Sequence, residues 1–172
     1  MAIPNTVVLN VTGPHTIQWG VAAAVPSFTD LGRTDNDDLF SVEIEHKYMD
    51  IFTNEFGLNP AESIQMGSVA YVNFTMVSHN PQAVINMIAT AGGISTGGTG
   101  PTFPTIGETT LANTNLIAFK INPGIAGNPG YTVNYCRLIS HTLKDVGNKP
   151  TRVGFRFEII RTNQTNIYTV NQ

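Results

Sequence analysis

Charge is the scarcest commodity in this chain. Only 12% of its 172 residues are Asp, Glu, Lys or Arg, about half the usual share. A lone soluble protein relies on a mixed charged surface to keep its copies apart. A chain with so little charge fits better when much of its outside is buried against copies of itself. The positive residues that exist are scattered, and the net charge is −3. No concentrated basic patch is available to grip phosphates. Cys136 is the one cysteine, so no internal disulfide framework exists and nothing points to an oxidising compartment. No apolar run approaches the roughly 20 residues that a membrane-spanning helix needs. The first ten residues, "MAIPNTVVLN", lack the basic and long apolar regions of a signal peptide. These features set a protein assembled in the cytosol, without a membrane, as the expectation.

Catalytic and ligand-binding signatures are also missing. His15, His46, His79 and His141 lie far apart and match no metal-ligand spacing. There is no nucleophile elbow, and "GGISTGGTG" lacks the Lys-Ser/Thr that completes a phosphate loop. The stretch "TDNDD" (34–38) lacks the glycine and distal glutamate of a calcium loop, and reads as a turn entering a strand. His46 falls on the apolar side of its segment and reads as a hydrogen-bonded core histidine. Cys136 reads as a small core residue. The expectation is a protein that is not an enzyme and needs no metal or cofactor.

What the chain has is alternation. "LFSVEIEHKY" sets Phe40, Val42, Ile44, His46 and Tyr48 against Ser41, Glu43, Glu45 and Lys47, a strand with one wet face. "SVAYVNFTMVS" (68–78) sets Ala70, Val72, Phe74 and Met76 against Val69, Tyr71, Asn73, Thr75 and Val77. "TRVGFRFEIIR" sets Val153, Phe155, Phe157 and Ile159 against Arg152, Arg156 and Glu158. "TVVLNVTG", "TIQWGVA", "LIAFKIN" and "YTVNYCRLIS" are rich in β-branched and aromatic residues and read as further strands. One segment has helical period. Asn80 suits an N-cap, Pro81 the first turn, and Gly92–Gly93 the stop. Val84, Ile85, Ile88 and Ala91 form its stripe. The fold class is therefore mainly β, an antiparallel barrel or sandwich with one flanking helix at about 80–91. One domain over 1–172 is expected. Residues 92–110, rich in Gly, Thr and Pro, form a mobile loop, and "NPGIAGNPG" (122–130) reads as consecutive turns.

The stretch "DIFTNEFGLNP" (50–60) fits none of these patterns. Ile51, Phe52, Phe56 and Leu58 make it too apolar for a solvated loop. Asp50, Asn54, Gly57, Asn59 and Pro60 make it too broken for a strand or helix. It either folds back over the core or buries its side chains against another molecule.

The order of elements resembles the tail tube proteins of tailed bacteriophages and the related tube protein of type VI secretion. The resemblance rests on a "DLG-T…D" turn (Asp30, Leu31, Gly32, Thr34, Asp37, Asp38), the acidic strand "FSVEIEHKYMDI" and the loop "TNEFGLNPAESIQMG". A second long strand, a helix and the closing "RVGFRFEIIR" complete it. It is carried by pattern and by Gly32, Glu43, Asp50, Gly57, Pro60 and Gly67, with no signature motif. The Gly/Thr-rich loop at 92–110 departs from it. The resemblance implies a virion structural protein whose copies join into six-membered rings. The rings stack into a hollow tail tube through which DNA passes as non-specific cargo. Its partners would be itself and other virion tail proteins, with assembly in the host cytoplasm. The loop after the acidic strand would reach a neighbouring subunit. That makes Ile51, Phe52, Phe56 and Leu58 subunit contacts, together with Pro60, Ile64 and Met66. Glu43 and Glu45, on the wet face of their strand, are candidates for the lining of the bore. Two other readings compete. One is a different virion part, such as a capsid-cementing or head–tail joining protein. The other is a carbohydrate-binding β-sandwich using Trp19, Tyr131 and Tyr135.

Overall fold

The computed structural model describes residues 15–36, 40–52, 62–92, 116–124, 127–144, 151–160 and 166–171. They form eight strands and one helix. The strands are β1 (Thr16–Val21), β2 (Thr29–Thr34), β3 (Ser41–Ile51), β4 (Glu62–His79), β5 (Ile117–Asn122), β6 (Gly130–Lys144), β7 (Arg152–Ile159) and β8 (Thr169–Asn171). The helix is α1 (Pro81–Gly92), between β4 and β5. The mainly β, one-helix architecture read from the alternation is the one observed. The segment 6–13 and most of the 92–110 loop lie outside the described residues.

Every strand pairing is antiparallel, and the pairings run β2–β1–β5–β6–β7–β4. β2 pairs back onto β4 through Gly32↔His79 and Thr34↔Met76, which closes a barrel-like circuit. Two strands hang outside it. β8 pairs one edge of β6, and β3 pairs one edge of β4.

Closure follows from which residues alternate inward. Ala70, Val72, Phe74 and Met76 of β4 meet Val153, Phe155, Phe157 and Ile159 of β7 in the core, with Ile17, Phe119, Ile121, Val133 and Cys136. Phe74 sits at its centre. Its ring lies 5.3 Å from those of Phe119 and Phe155, 5.7 Å from Phe40 and 6.0 Å from Phe157. The buried Cys136 thiol has its pKa pushed up by desolvation and behaves as a small apolar group.

α1 covers this core. Asn80 caps it, its Oδ1 accepting from the backbone N–H groups of Gln82 (3.1 Å) and Ala83 (3.3 Å). Ala83, Val84, Met87, Ile88 and Ala91 are the buried face. Ile85, expected in that stripe, is half-buried, and Met87 takes its place.

One expectation is corrected here. The "DLG-T" segment is a strand, not a turn, since β2 spans Thr29–Thr34. Asp35, just past its end, is buried and holds Arg152 in a 2.7 Å ion pair. Its backbone N–H donates to the carbonyl of Thr75. The start of the "TDNDD" run therefore anchors β2 to β4 and β7.

Truncating Phe74 to Ala removes the hub of the aromatic cluster. The expected cost is about 3–5 kcal/mol, which a chemical-denaturation curve measures directly.

Candidate functional site: a two-stranded arm

β4 is longer than the barrel it closes. Its pairing with β7 covers only Ala70 to Met76. Residues 62–69 continue past β7 and, among the described residues, pair with β3 alone, from Glu45↔Val69 to Ile51↔Glu62. At about 3.4 Å per residue this arm extends roughly 25 Å. Every residue from Ser63 to Ser68 is exposed, as is every residue from Glu43 to Asp50. A two-stranded ribbon with both faces wet is marginal on its own in water.

This geometry corrects three readings. β3 was expected to have one wet face. Phe40 and Val42 do pack against the core, but Ile44 and Tyr48 are exposed. Their alternation is real, but no layer of the described residues covers them. His46 is on the surface, not in the core; its Nδ1 lies 3.2 Å from Nε2 of Gln65. The stretch 50–60 reads as too broken for a strand, and its residues 53–60 lie outside the described residues. Yet Asp50 and Ile51 end β3, and β4 begins at Glu62, six residues before the expected 68.

The faces of the arm can be read from the register. On one face of the ribbon, Val42 opposes Val72 and Ile44 opposes Ala70. Val72 and Ala70 belong to the core. Farther out, this same face turns polar. His46 opposes Ser68, Tyr48 opposes Gln65, and Asp50 opposes Ser63. Ser63 Oγ donates to Asp50 Oδ1.

The other face runs in the opposite sense. Next to the barrel it is polar: Ser41 opposes Asn73, and Glu43 opposes Tyr71. Asn73 Nδ2 donates to Glu43 Oε2 at 3.5 Å, and the Arg156 guanidinium lies 4.4 Å over the Tyr71 ring. Toward the end of the arm it becomes apolar, with Met49 opposite Ile64 and Ile51 opposite Glu62.

A bulge makes this exchange possible. Lys47 pairs with Gly67 and Tyr48 with Gln65, so Met66 is the extra residue. Gly67 holds a φ of 150°, which favours glycine. In an unbulged ladder Ile64 would oppose Asp50. With the bulge it opposes Met49, and two apolar side chains share the outer face. Met49 is 46% exposed, Ile64 41%, Met66 63% and Phe52 59%.

Of the seven predicted contact residues, Ile51, Phe52, Ile64 and Met66 thus lie on the arm. Phe56, Leu58 and Pro60 lie outside the described residues. Glu43 and Glu45 are both exposed on the outer face near the barrel. That face also carries Glu158, which pairs with Arg137. Sequence reasoning missed Met49, whose signal was its place opposite in phase to Val42 and Ile44. Of the aromatics proposed for sugar binding, Trp19 packs against the core, Tyr135 is half-buried, and Tyr131 is exposed beside Tyr168. Among the described residues, no three of His, Cys, Asp and Glu are grouped to hold a metal ion.

No family model and no curated protein sequence matches this chain. Among solved structures, a chain of the virion of a native gene transfer agent (GTA) particle is similar, with a TM-score of 0.47 and 8% identity over 91% of this chain and 95% of that one. At that score the likeness carries neither fold nor function across.

Side chains that nothing covers add little to the stability of an isolated molecule. Replacing Met49 and Ile64 together by Ser is expected to shift the stability of the dilute protein by less than about 1 kcal/mol. Thermal melts at low concentration measure it. A loss of several kcal/mol would mean that the pair packs on its own barrel.

Proposed function

We propose that this chain is a virion structural protein that self-assembles into stacked rings, forming the hollow tail tube through which phage DNA passes. The observation that carries the reading is the arm: a two-stranded projection whose apolar end faces away from its own core. Fully burying a large apolar side chain is worth roughly 1.5–3 kcal/mol. A second copy is the natural source of that burial for a chain so poor in charge. β3 adds to this. Among the described residues it pairs with β4 alone, so its outer edge offers unpaired backbone groups to another chain. Its charged residues, Glu43, Glu45 and Lys47, keep that edge from sticking indiscriminately.

The outer face of β3, β4 and β7 supplies a suitable bore. Its charges carry no positive excess: the exposed Glu43 and Glu45 stand against Lys47, Glu158 holds Arg137, and Arg156 lies over Tyr71. A lining without net positive charge gives little counterion-release gain, so DNA can slide past. The stacked-ring geometry comes from the resemblance of the sequence to tail tube proteins.

The test is assembly itself. Purified protein brought to high concentration is expected to form rings or tubes, seen by negative-stain microscopy and as a rise in mass by light scattering. A strictly monomeric species at every concentration and salt level would overturn the proposal.

A further inference from the structure

The arm needs a surface to land on, and the far end of the same barrel offers one. β6 outruns β5. Its pairing with β5 ends at Cys136, and among the described residues Ser140 to Lys144 are held by β7 alone. His141 opposes the buried Phe155 and Leu143 opposes the buried Val153. Both are therefore on the core-side face, yet both are exposed, Leu143 by 63%. The core face of β6 beyond the end of β5 thus forms an open ledge, made apolar by Leu143. Ile139, in the bulge between Leu138 and Ser140, is a further exposed apolar residue of this strand.

Charge complements shape. The arm carries Glu45, Asp50 and Glu62 against Lys47, while the ledge ends in Lys144 with His141 beside it; Arg152, across from Lys144, is taken up by Asp35. The two sites also lie at opposite ends of the barrel. β7 meets the base of the arm at Ile159↔Ala70 and the ledge at Arg152↔Lys144, roughly 25 Å apart along the strand. The arm points away from the ledge, so one molecule cannot use both on itself.

We infer that the arm of one copy seats its Met49–Ile64 face on the β6 ledge around Leu143 of the next copy. Such a contact joins two different surfaces and is head-to-tail, so it propagates until it closes. This rests on the self-assembly proposed above and adds the identity of the receiving surface.

Complementation tests it. The arm variant Met49→Ser/Ile64→Ser keeps an intact ledge, and the ledge variant Leu143→Glu keeps an intact arm. Lys144→Glu is a second ledge variant on a fully surface position. Thermal melts first confirm that each variant is folded. Light scattering is then expected to show each variant alone as a monomer, or assembling only at a concentration at least roughly tenfold higher than wild type. A mixture of the arm and Leu143→Glu variants should give a one-to-one heterodimer and nothing larger, because one intact contact is left. If both ledge variants assemble as wild type does, the arm lands elsewhere: the ledge is wrong and self-assembly stands. If the mixture yields no heterodimer, the head-to-tail contact is wrong. If wild type itself stays monomeric throughout, the ledge and the self-assembly reading fall together.

Discussion

The molecule depends on one strand doing two jobs. From Ala70 to Met76, β4 is an inner stave of the barrel, holding Phe74 among Phe40, Phe119, Phe155 and Phe157. From Glu62 to Val69 it is half of a ribbon with no core beneath it. The constraint is the pleat. Side chains alternate between faces, so a strand that keeps perfect period two must keep one apolar face. β4 changes its apolar face midway, and it does so through the extra residue Met66 and the positive φ of Gly67. β3 makes the same change with no bulge, simply by moving its apolar residues from Val42 and Ile44 to Met49 and Ile51. The two strands agree in register only because one carries the bulge.

That agreement has an energetic reading. Near the barrel, burial of the inner face ties β3 to the core through Phe40 and Val42. Beyond Ile44 the ribbon is stabilised by its ladder and by local pairs such as Ser63–Asp50 and His46–Gln65. Exposed pairs of this kind contribute only tenths of a kcal/mol to about 1 kcal/mol each. An arm so weakly held alone would gain most of its stability from a partner that covered Met49 and Ile64.

The sequence was most legible where alternation and burial coincide. Val153, Phe155, Phe157 and Ile159, or Ala70 to Met76, alternate because a core lies on one side, and the structure places them there. The helix was legible because Asn80, Pro81 and Gly92 mark its ends with known backbone chemistry. β2 was not. "TDLGRT" is short and polar, and Gly32 takes a φ of 135° in a bulged ladder. The site was half legible. The sequence located apolar residues around 50–66 that no local element could explain. It could not show where a covering layer stops, which is why His46 read as core. Nor could it reveal the bulge that sets Ile64 beside Met49, because a glycine between two strand-like runs has many possible geometries.

On the proposed reading, the outer apolar face of the arm is buried only in the assembly. Amide hydrogen exchange, compared between the dilute protein and the assembled form, addresses it residue by residue. Fast exchange is expected for residues 45–51 and 62–69 in the dilute protein, with strong protection of the same amides on assembly and little change in the already protected β4–β7 core. Arm amides that are as protected in the monomer as in the assembly, or that stay fast in both, would contradict it.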